Sequence, residues 1–217
     1  AYNRIVSYQE IQNKATDTNP DTLLWSHGDR FYIVPMENQY QKKTIKAIRD
    51  FVVWFPKSVK SIELKLKLSE ILIAAEQSKL AEKYLNSILA TIVKHNVGEK
   101  YYATALNMKA TVNFQQENFR EAQKWYSVLM KEYPDSVDLI EKTKTMLTSA
   151  NYKVAESLKD DGNAVRAAIE FEKTARTAKD QQIAEAALLE SATQYQKAGQ
   201  KQRAAMNFEA YVKRFPH

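Results

Sequence analysis

Residues 103–134 read ATALNMKATVNFQQENFREAQKWYSVLMKEYP and contain two apolar stripes, one on each side of Asn118. In the first stripe the apolar residues recur at four-residue steps, and in the second Ala122, Tyr126 and Leu129 recur at steps of four and three. Such spacing places each stripe along one face of an α-helix. Because Pro134 cannot continue the second helix, the stretch predicts two antiparallel helices that end before the proline.

The spacing of the second stripe occurs five times in the chain. Its copies begin at residues 44, 81, 122, 167 and 204, at intervals of 37 (81 − 44), 41 (122 − 81), 45 (167 − 122) and 37 (204 − 167). One helix pair buries its apolar face only against its neighbours, so this periodicity predicts an array of helical repeats. The copies are Thr44-x3-Ile48-x2-Phe51-x4-Pro56, Ala81-x3-Leu85-x2-Ile88, Ala122-x3-Tyr126-x2-Leu129-x4-Pro134, Ala167-x3-Phe171-x2-Thr174 and Ala204-x3-Phe208-x2-Tyr211-x4-Pro216.

The composition of the 217-residue chain favours helices and excludes several kinds of site. Four glycines and five prolines are too few for the tight turns and phosphate loops of sheet and Rossmann-type folds. The sequence has no cysteine, and its histidines, His27, His95 and His217, are not spaced to ligate a metal together. We therefore predict no enzymatic activity, no metal and no cofactor. No apolar run approaches the ~18 residues of a membrane span.

We predict two regions along the chain. Residues 1–37, interrupted by prolines and a glycine, form an irregular or degenerate N-terminal repeat or cap, with a short helix at residues 2–14. Residues 38–217 form the repeat array. The chain begins without an initiator Met, and no later helix covers the apolar side chains before Pro216, which together predict a fragment of a longer chain. Besides the pair at 103–134, helices are predicted near 59–76, 79–94, 137–158, 164–178, 181–198 and 201–215.

One segment of the array has an ambiguous pattern. Ile62, Leu64, Leu66 and Leu68 alternate with polar residues, which is typical of a strand. The apolar residues of 68–75 continue at helical steps, and an isolated strand is not stable. We therefore predict a helix that is apolar on both faces.

The copies at 103–134 and 185–216 resemble the tetratricopeptide repeat (TPR) family, whose helix pair places small residues where the helices cross and a proline at its end. The family's opening Trp is absent from these copies, and intervals of 37 to 45 exceed its ~34-residue unit, which implies longer helices or turns. Over roughly residues 38–217 the resemblance implies an all-α fold, a TPR-like α-solenoid in which antiparallel helix pairs form a right-handed superhelix. The residues that carry it are Leu106, Ala110, Phe119, Ala122, Tyr126 and Pro134, then Leu188, Ala192, Tyr195, Gly199, Ala204, Phe208 and Pro216, with Ala155, Leu158, Gly162, Ala167 and Phe171 between them.

The endings at Phe55-Pro56, Tyr133-Pro134 and Phe215-Pro216 resemble those of bacterial cell-envelope TPR proteins, including outer-membrane assembly lipoproteins. The resemblance implies a non-catalytic protein–protein interaction scaffold and favours the periplasm or cell envelope over the cytoplasm, which stays an alternative. It also implies a concave groove that binds a peptide or a partner domain. Carried over from the family, the groove residues lie at i, i+4 and i+7 of each first helix, and they are Leu66, Glu70, Ile73, Asn107, Thr111, Phe114, Tyr152, Glu156, Lys159, Leu189, Thr193 and Gln196.

A second candidate surface follows from the local charge between Gln39 and Lys67. This stretch contains eight bases and two acids, so its net charge of +6 (8 − 2) equals that of the whole chain. On a helix Lys42, Lys46 and Arg49 share one face and form a basic ridge. The alternative function is therefore docking to an acidic partner or an anionic membrane surface. Nucleic acid is not favoured, because the aromatic residues lie on the apolar stripe rather than among these bases. A helical enzyme accessory subunit is a third alternative, which requires a pocket of perturbed carboxylates that the sequence does not place.

Overall fold

The computed structural model describes residues 22–27, 30–35 and 39–216, with side chains from residue 43 onward. Strands β1 (Thr22–His27) and β2 (Arg30–Pro35) pair antiparallel, with Trp25 opposite Tyr32. An irregular segment or a degenerate repeat was predicted here. The missed signal is two apolar runs separated by Gly28-Asp29, a spacing typical of a hairpin with a two-residue loop. The helix predicted for residues 2–14 lies outside the described residues.

The array that follows is α-helical, so the predicted series of helices is confirmed for residues 39–214, whereas the two strands before it were not predicted. The segment at residues 62–68 is helical, as predicted. The chain divides into two compact units, residues 1–105 and 106–217, with the boundary inside the helix Tyr102–Gln115. A 3-10 turn, Glu99–Tyr101, precedes that helix. The helices are α1 (Gln39–Trp54), α2 (Val59–Ala74), α3 (Ser78–His95), α4 (Tyr102–Gln115), α5 (Phe119–Glu132), α6 (Val137–Asp160), α7 (Ala164–Thr177), α8 (Gln181–Lys197) and α9 (Lys201–Arg214).

In the N-terminal unit, α2 packs against both α1 and α3. Ser58 begins α2 by accepting a hydrogen bond from the Lys60 backbone N–H at 3.2 Å, as expected of an N-cap serine. Ile62, Leu66 and Leu68 are all buried, although they do not lie on one narrow helical stripe. Contact with two neighbouring helices explains the strand-like alternation, because α2 must present apolar residues to both.

In the C-terminal unit, Phe171 of α7 belongs to a cluster of buried side chains from α6, α7 and α8. The Tyr152 ring of α6 packs edge-on against Phe171, with the ring centroids 5.3 Å apart. Tyr195 of α8 is also buried, and its hydroxyl donates to Glu172 of α7 at 2.9 Å. Burial, followed by this bond to a carboxylate, raises the pKa of Tyr195. Consecutive helices from α5 to α9 therefore form one packed series.

The first helices α2, α4, α6 and α8 end in the same left-handed turn. At each turn the residue after the positive-φ position donates its N–H to the carbonyl five residues earlier, which is the Schellman arrangement. These bonds satisfy carbonyls that the helix end would otherwise leave unpaired. The positive-φ residues are Glu76 (57°), Glu117 (61°), Gly162 (76°) and Gly199 (73°).

The turns recur at the same intervals as the repeated sequence pattern. Their intervals are 41 (117 − 76), 45 (162 − 117) and 37 (199 − 162), the same as those of the buried alanines at 81, 122, 167 and 204. Each alanine follows its turn by five residues (81 − 76), so turn and alanine form one fixed block. The longest interval arises mainly from α6, which has 24 residues against 17 in α8.

Candidate partner-binding surface

The first helices α6 and α8 of the C-terminal unit are joined on their exposed faces by an ion pair. Lys159 Nζ lies 3.5 Å from Glu190 Oε1, and each side chain is about a third exposed. Lys159 is a predicted groove residue, whereas Glu190 was not predicted. No local pattern could have identified Glu190, because the two residues are 31 positions apart (190 − 159) and their contact depends on how α6 and α8 pack. The pair brings the neighbouring side chains of both helices onto one surface.

The remaining groups on this surface differ in exposure and chemistry, and Glu156 and Thr193 are half-buried. On α6, Glu156 accepts a hydrogen bond from Lys153 at 2.7 Å, and this bond raises the pKa of the Lys153 ammonium. On α8, Leu189 is 41% exposed and Gln196 is exposed. Thr193, one turn from Leu189, donates its hydroxyl to the Leu189 carbonyl at 2.9 Å. We call Glu156, Lys159, Leu189, Glu190, Thr193 and Gln196 the α6–α8 surface.

Several other predicted groove residues also pack within the unit. Tyr152 is half-buried against Phe171, and burial raises the pKa of its hydroxyl. Phe114 at the end of α4 packs edge-on against Phe119, with the centroids 5.3 Å apart. Thr111 lies 3.2 Å from the Tyr126 hydroxyl. Since these side chains hold helix pairs together, replacing them would disturb packing as well as any binding.

The four remaining predicted groove residues lie on α4 and α2 and differ in exposure. Asn107 of α4 is half-buried. In the N-terminal unit Glu70 is exposed and Ile73 is half-buried, but Leu66 is only 5% exposed. Leu66 therefore belongs to the core of that unit, because α2 is packed against two helices.

The basic ridge is only partly a solvent-facing feature. Lys46 is exposed, Arg49 is half-buried, and the side chain of Lys42 lies outside the described residues. Burial lowers the pKa of Arg49, although Tyr84 and Asp50 oppose that effect. Nearby in sequence, Lys65 is buried and donates to Ser87 Oγ at 3.0 Å, and burial lowers its pKa too. Docking of an acidic partner or an anionic membrane through residues 39–67 remains a prediction.

Among the residues that the structure describes, no group of three or more His, Asp and Glu side chains could hold a metal ion. Within the same part of the chain, no helix combines the length and apolar character needed to cross a membrane.

No family model and no curated protein matches the chain. Among solved structures, it is similar to the TPR-like repeats of a putative kinesin light chain from Podosopora anserina, with 14% identity, a TM-score of 0.44 and coverage of 80% of this chain and 86% of that one. It is also similar to MamA, with 17% identity, a TM-score of 0.43 and coverage of 78% and 85%. A third is YrrB, described as a TPR protein with an unusual peptide-binding site, with 13% identity, a TM-score of 0.37 and coverage of 79% and 94%.

Proposed function

We propose that this all-α, TPR-like array is a non-catalytic protein–protein interaction scaffold that binds an extended peptide or a segment of a partner domain on the α6–α8 surface. The observation that carries the proposal is the Lys159–Glu190 ion pair, which joins two consecutive first helices on their exposed sides. An extended segment needs apolar contacts for its side chains and polar groups for its backbone. Leu189 offers an apolar contact, and Thr193 and Gln196 offer polar groups for the peptide backbone.

The helices that present these groups are rigidly packed before any partner arrives. Leu188 and Ala192 on the inner face of α8 are buried in the same unit. A surface that is already ordered loses little conformational entropy on association, so modest contacts suffice for binding. We include Asn107, Thr111 and Phe114 of α4 as the proposed continuation of the surface within residues 106–217.

The proposal is tested by placing the photo-crosslinking residue benzoylphenylalanine at Leu189 or at Gln196 and irradiating the chain in extract of its own organism. The matched control is the same residue at Met206 of α9, which is 67% exposed but lies on a second helix. We expect Leu189 and Gln196 to crosslink to a common partner that Met206 does not capture. Equal capture from all three positions, or none from Leu189 and Gln196, contradicts the proposal.

A quantitative test uses the captured partner. Leu189→Arg places a charge in the apolar part of the surface and is expected to weaken binding at least about tenfold, which corresponds to about 1.4 kcal/mol. Met206→Arg is the control and should leave affinity unchanged. Thermal unfolding of both variants shows whether each keeps its fold.

A role in bacterial envelope assembly is the finer part of the proposal. It is supported by the aromatic-proline endings, such as Tyr133-Pro134 and Phe215-Pro216. Fractionation of the native cells tests this part, with recovery in the envelope or periplasm expected. Recovery in the cytosol alone excludes the envelope role and leaves the binding surface to be judged by crosslinking.

A further inference from the structure

A separate cavity lies on the second-helix side of the C-terminal unit. It has a volume of about 360 Å³ and lies between the starts of α5 and α7, over α6. A second cavity of about 250 Å³ shares Arg120 and Val154 with the first. The larger volume falls at the lower end of the range usual for ligand sites, about 300–1,000 Å³. The larger cavity is lined by Arg120, Gln123, Val154, Leu158, Arg166, Ile169 and Glu170.

The floor of this cavity is apolar. Val154 and Leu158 are one turn apart on α6 and both are buried beneath it, while Ile169 of α7 forms a half-buried wall. These side chains can contact one aliphatic side chain of a ligand and remove it from water.

The rim of the cavity is positively charged. Arg120 and Arg166 are exposed, and neither has an ion pair with any residue whose side chain is described. By contrast, Glu170 is held by Lys173 at 2.8 Å. In the adjoining cavity, Glu121 pairs with Lys124 at 3.3 Å, and Glu117 interacts electrostatically with Lys153. Glu170 and Glu121 thus pair with lysines and not with Arg120 or Arg166.

The wall also contains a hydrogen-bond acceptor. Gln123 donates from Nε2 to Asn151 Oδ1 at 2.8 Å, which fixes the amide between α5 and α6. That bond uses the nitrogen, so the Gln123 Oε1 acceptor can receive a backbone N–H from a peptide.

We propose that this cavity binds a peptide segment in which an aliphatic residue is flanked by acidic residues. The aliphatic side chain packs on Val154 and Leu158, and the carboxylates pair with Arg120 and Arg166. Guanidinium groups suit this task because their planar fork donates two hydrogen bonds to one carboxylate. The site is distinct from the α6–α8 surface, so either can fail without the other.

The probes are labelled short peptides with leucine at the centre and aspartate or glutamate on both sides, and a matched set carrying asparagine and glutamine instead. Binding to the full chain is measured by fluorescence anisotropy. We expect the acidic set to bind at least about tenfold more tightly than the amide set. We also expect replacement of the leucine by serine to weaken binding.

The test variant is Arg120→Glu/Arg166→Glu, and its control is Lys201→Glu/Lys213→Glu. The control changes net charge by the same amount on exposed residues of α9. The arginine variant should lose at least about tenfold in affinity for the acidic set, and the lysine variant should stay within about twofold. All four residues are exposed, and circular dichroism checks that both variants fold.

The proposal is overturned by any of three results. They are no preference for the acidic peptides over the amide peptides, equal loss of affinity in the two charge-reversed variants, and no effect of replacing the peptide leucine. Equal loss of affinity in the two charge-reversed variants would mean that the acidic peptides are attracted by the net positive charge of the protein and not by the cavity.

Discussion

Of the three glycines that the structure describes, Gly98 should be the least tolerant of an added methyl group. Its φ is +70°, and a Cβ added there would lie 2.7 Å from Ile62 Cδ1, well inside van der Waals contact. Ile62 is 1% exposed, so it has little room to move. The substitution Gly98→Ala therefore carries two separate penalties, one from the backbone conformation and one from steric overlap.

The two penalties can be estimated and separated. A left-handed conformation disfavours an L-residue by roughly 1–2 kcal/mol. Overpacking of a buried site adds about 1–3 kcal/mol. We therefore expect Gly98→Ala to lower the free energy of unfolding by about 2–5 kcal/mol, the sum of both ranges. Gly199→Ala is the control for the first penalty alone, because Gly199 has a φ of +73° and no atom within 4 Å of the added Cβ.

A double-mutant cycle with Ile62→Val removes the overlapping Cδ1 atom. In that background the cost of Gly98→Ala should fall by about 1–3 kcal/mol, leaving the conformational part. The measurement is urea denaturation followed by circular dichroism for the four members of the cycle and for Gly199→Ala. Equal costs of Gly98→Ala with isoleucine and with valine at position 62 would refute the steric argument.

Two further predictions concern single residues. Glu117 has a φ of +61° at a turn position that glycine occupies in two other repeats. Glu117→Gly should therefore raise the free energy of unfolding by about 0.5–1 kcal/mol. A lower free energy of unfolding in urea denaturation would contradict this prediction. Burial lowers the pKa of Lys65, so the folded state binds fewer protons than the unfolded state and stability should rise with pH between the lowered folded value and the ordinary value of 10.5. Lys65→Met should therefore be more stable than the parent at neutral pH. The difference in the free energy of unfolding between the two proteins should shrink as pH approaches 10.5. A difference that does not change with pH would show that the pKa of Lys65 is not lowered.

The helix pairs were predictable because their signals are local. Ala122 and Tyr126 lie one turn apart and face the same core, and Pro134 marks the end of the helix from its own chemistry. The turns at Gly162 and Gly199 were recognisable for the same reason. The helix breaks beside Glu76 and Glu117 were located too, but the positive φ of these two residues was not predictable, because glutamate carries no preference for it.

The candidate surface was less predictable because it depends on contacts between distant residues. A step of i, i+4, i+7 selects one stripe of a helix but does not say which neighbours cover it. Leu66 is buried because α2 touches two helices, and Tyr152 is half-buried because Phe171 lies beside it. Leu189 and Gln196 are exposed at the same kind of position. The difference arises from packing between elements, which a single stripe cannot encode.

The fixed block of turn and alanine has a practical consequence for engineering the chain. Residues added at 116–118 would break the Schellman hydrogen bonds and move Ala122 out of the helix crossing. The connection after α5 carries no such constraint, since Pro134, Asp135 and Ser136 are all exposed. An epitope tag or a fluorophore loop belongs there, because exposed connections accept added length at little thermodynamic cost.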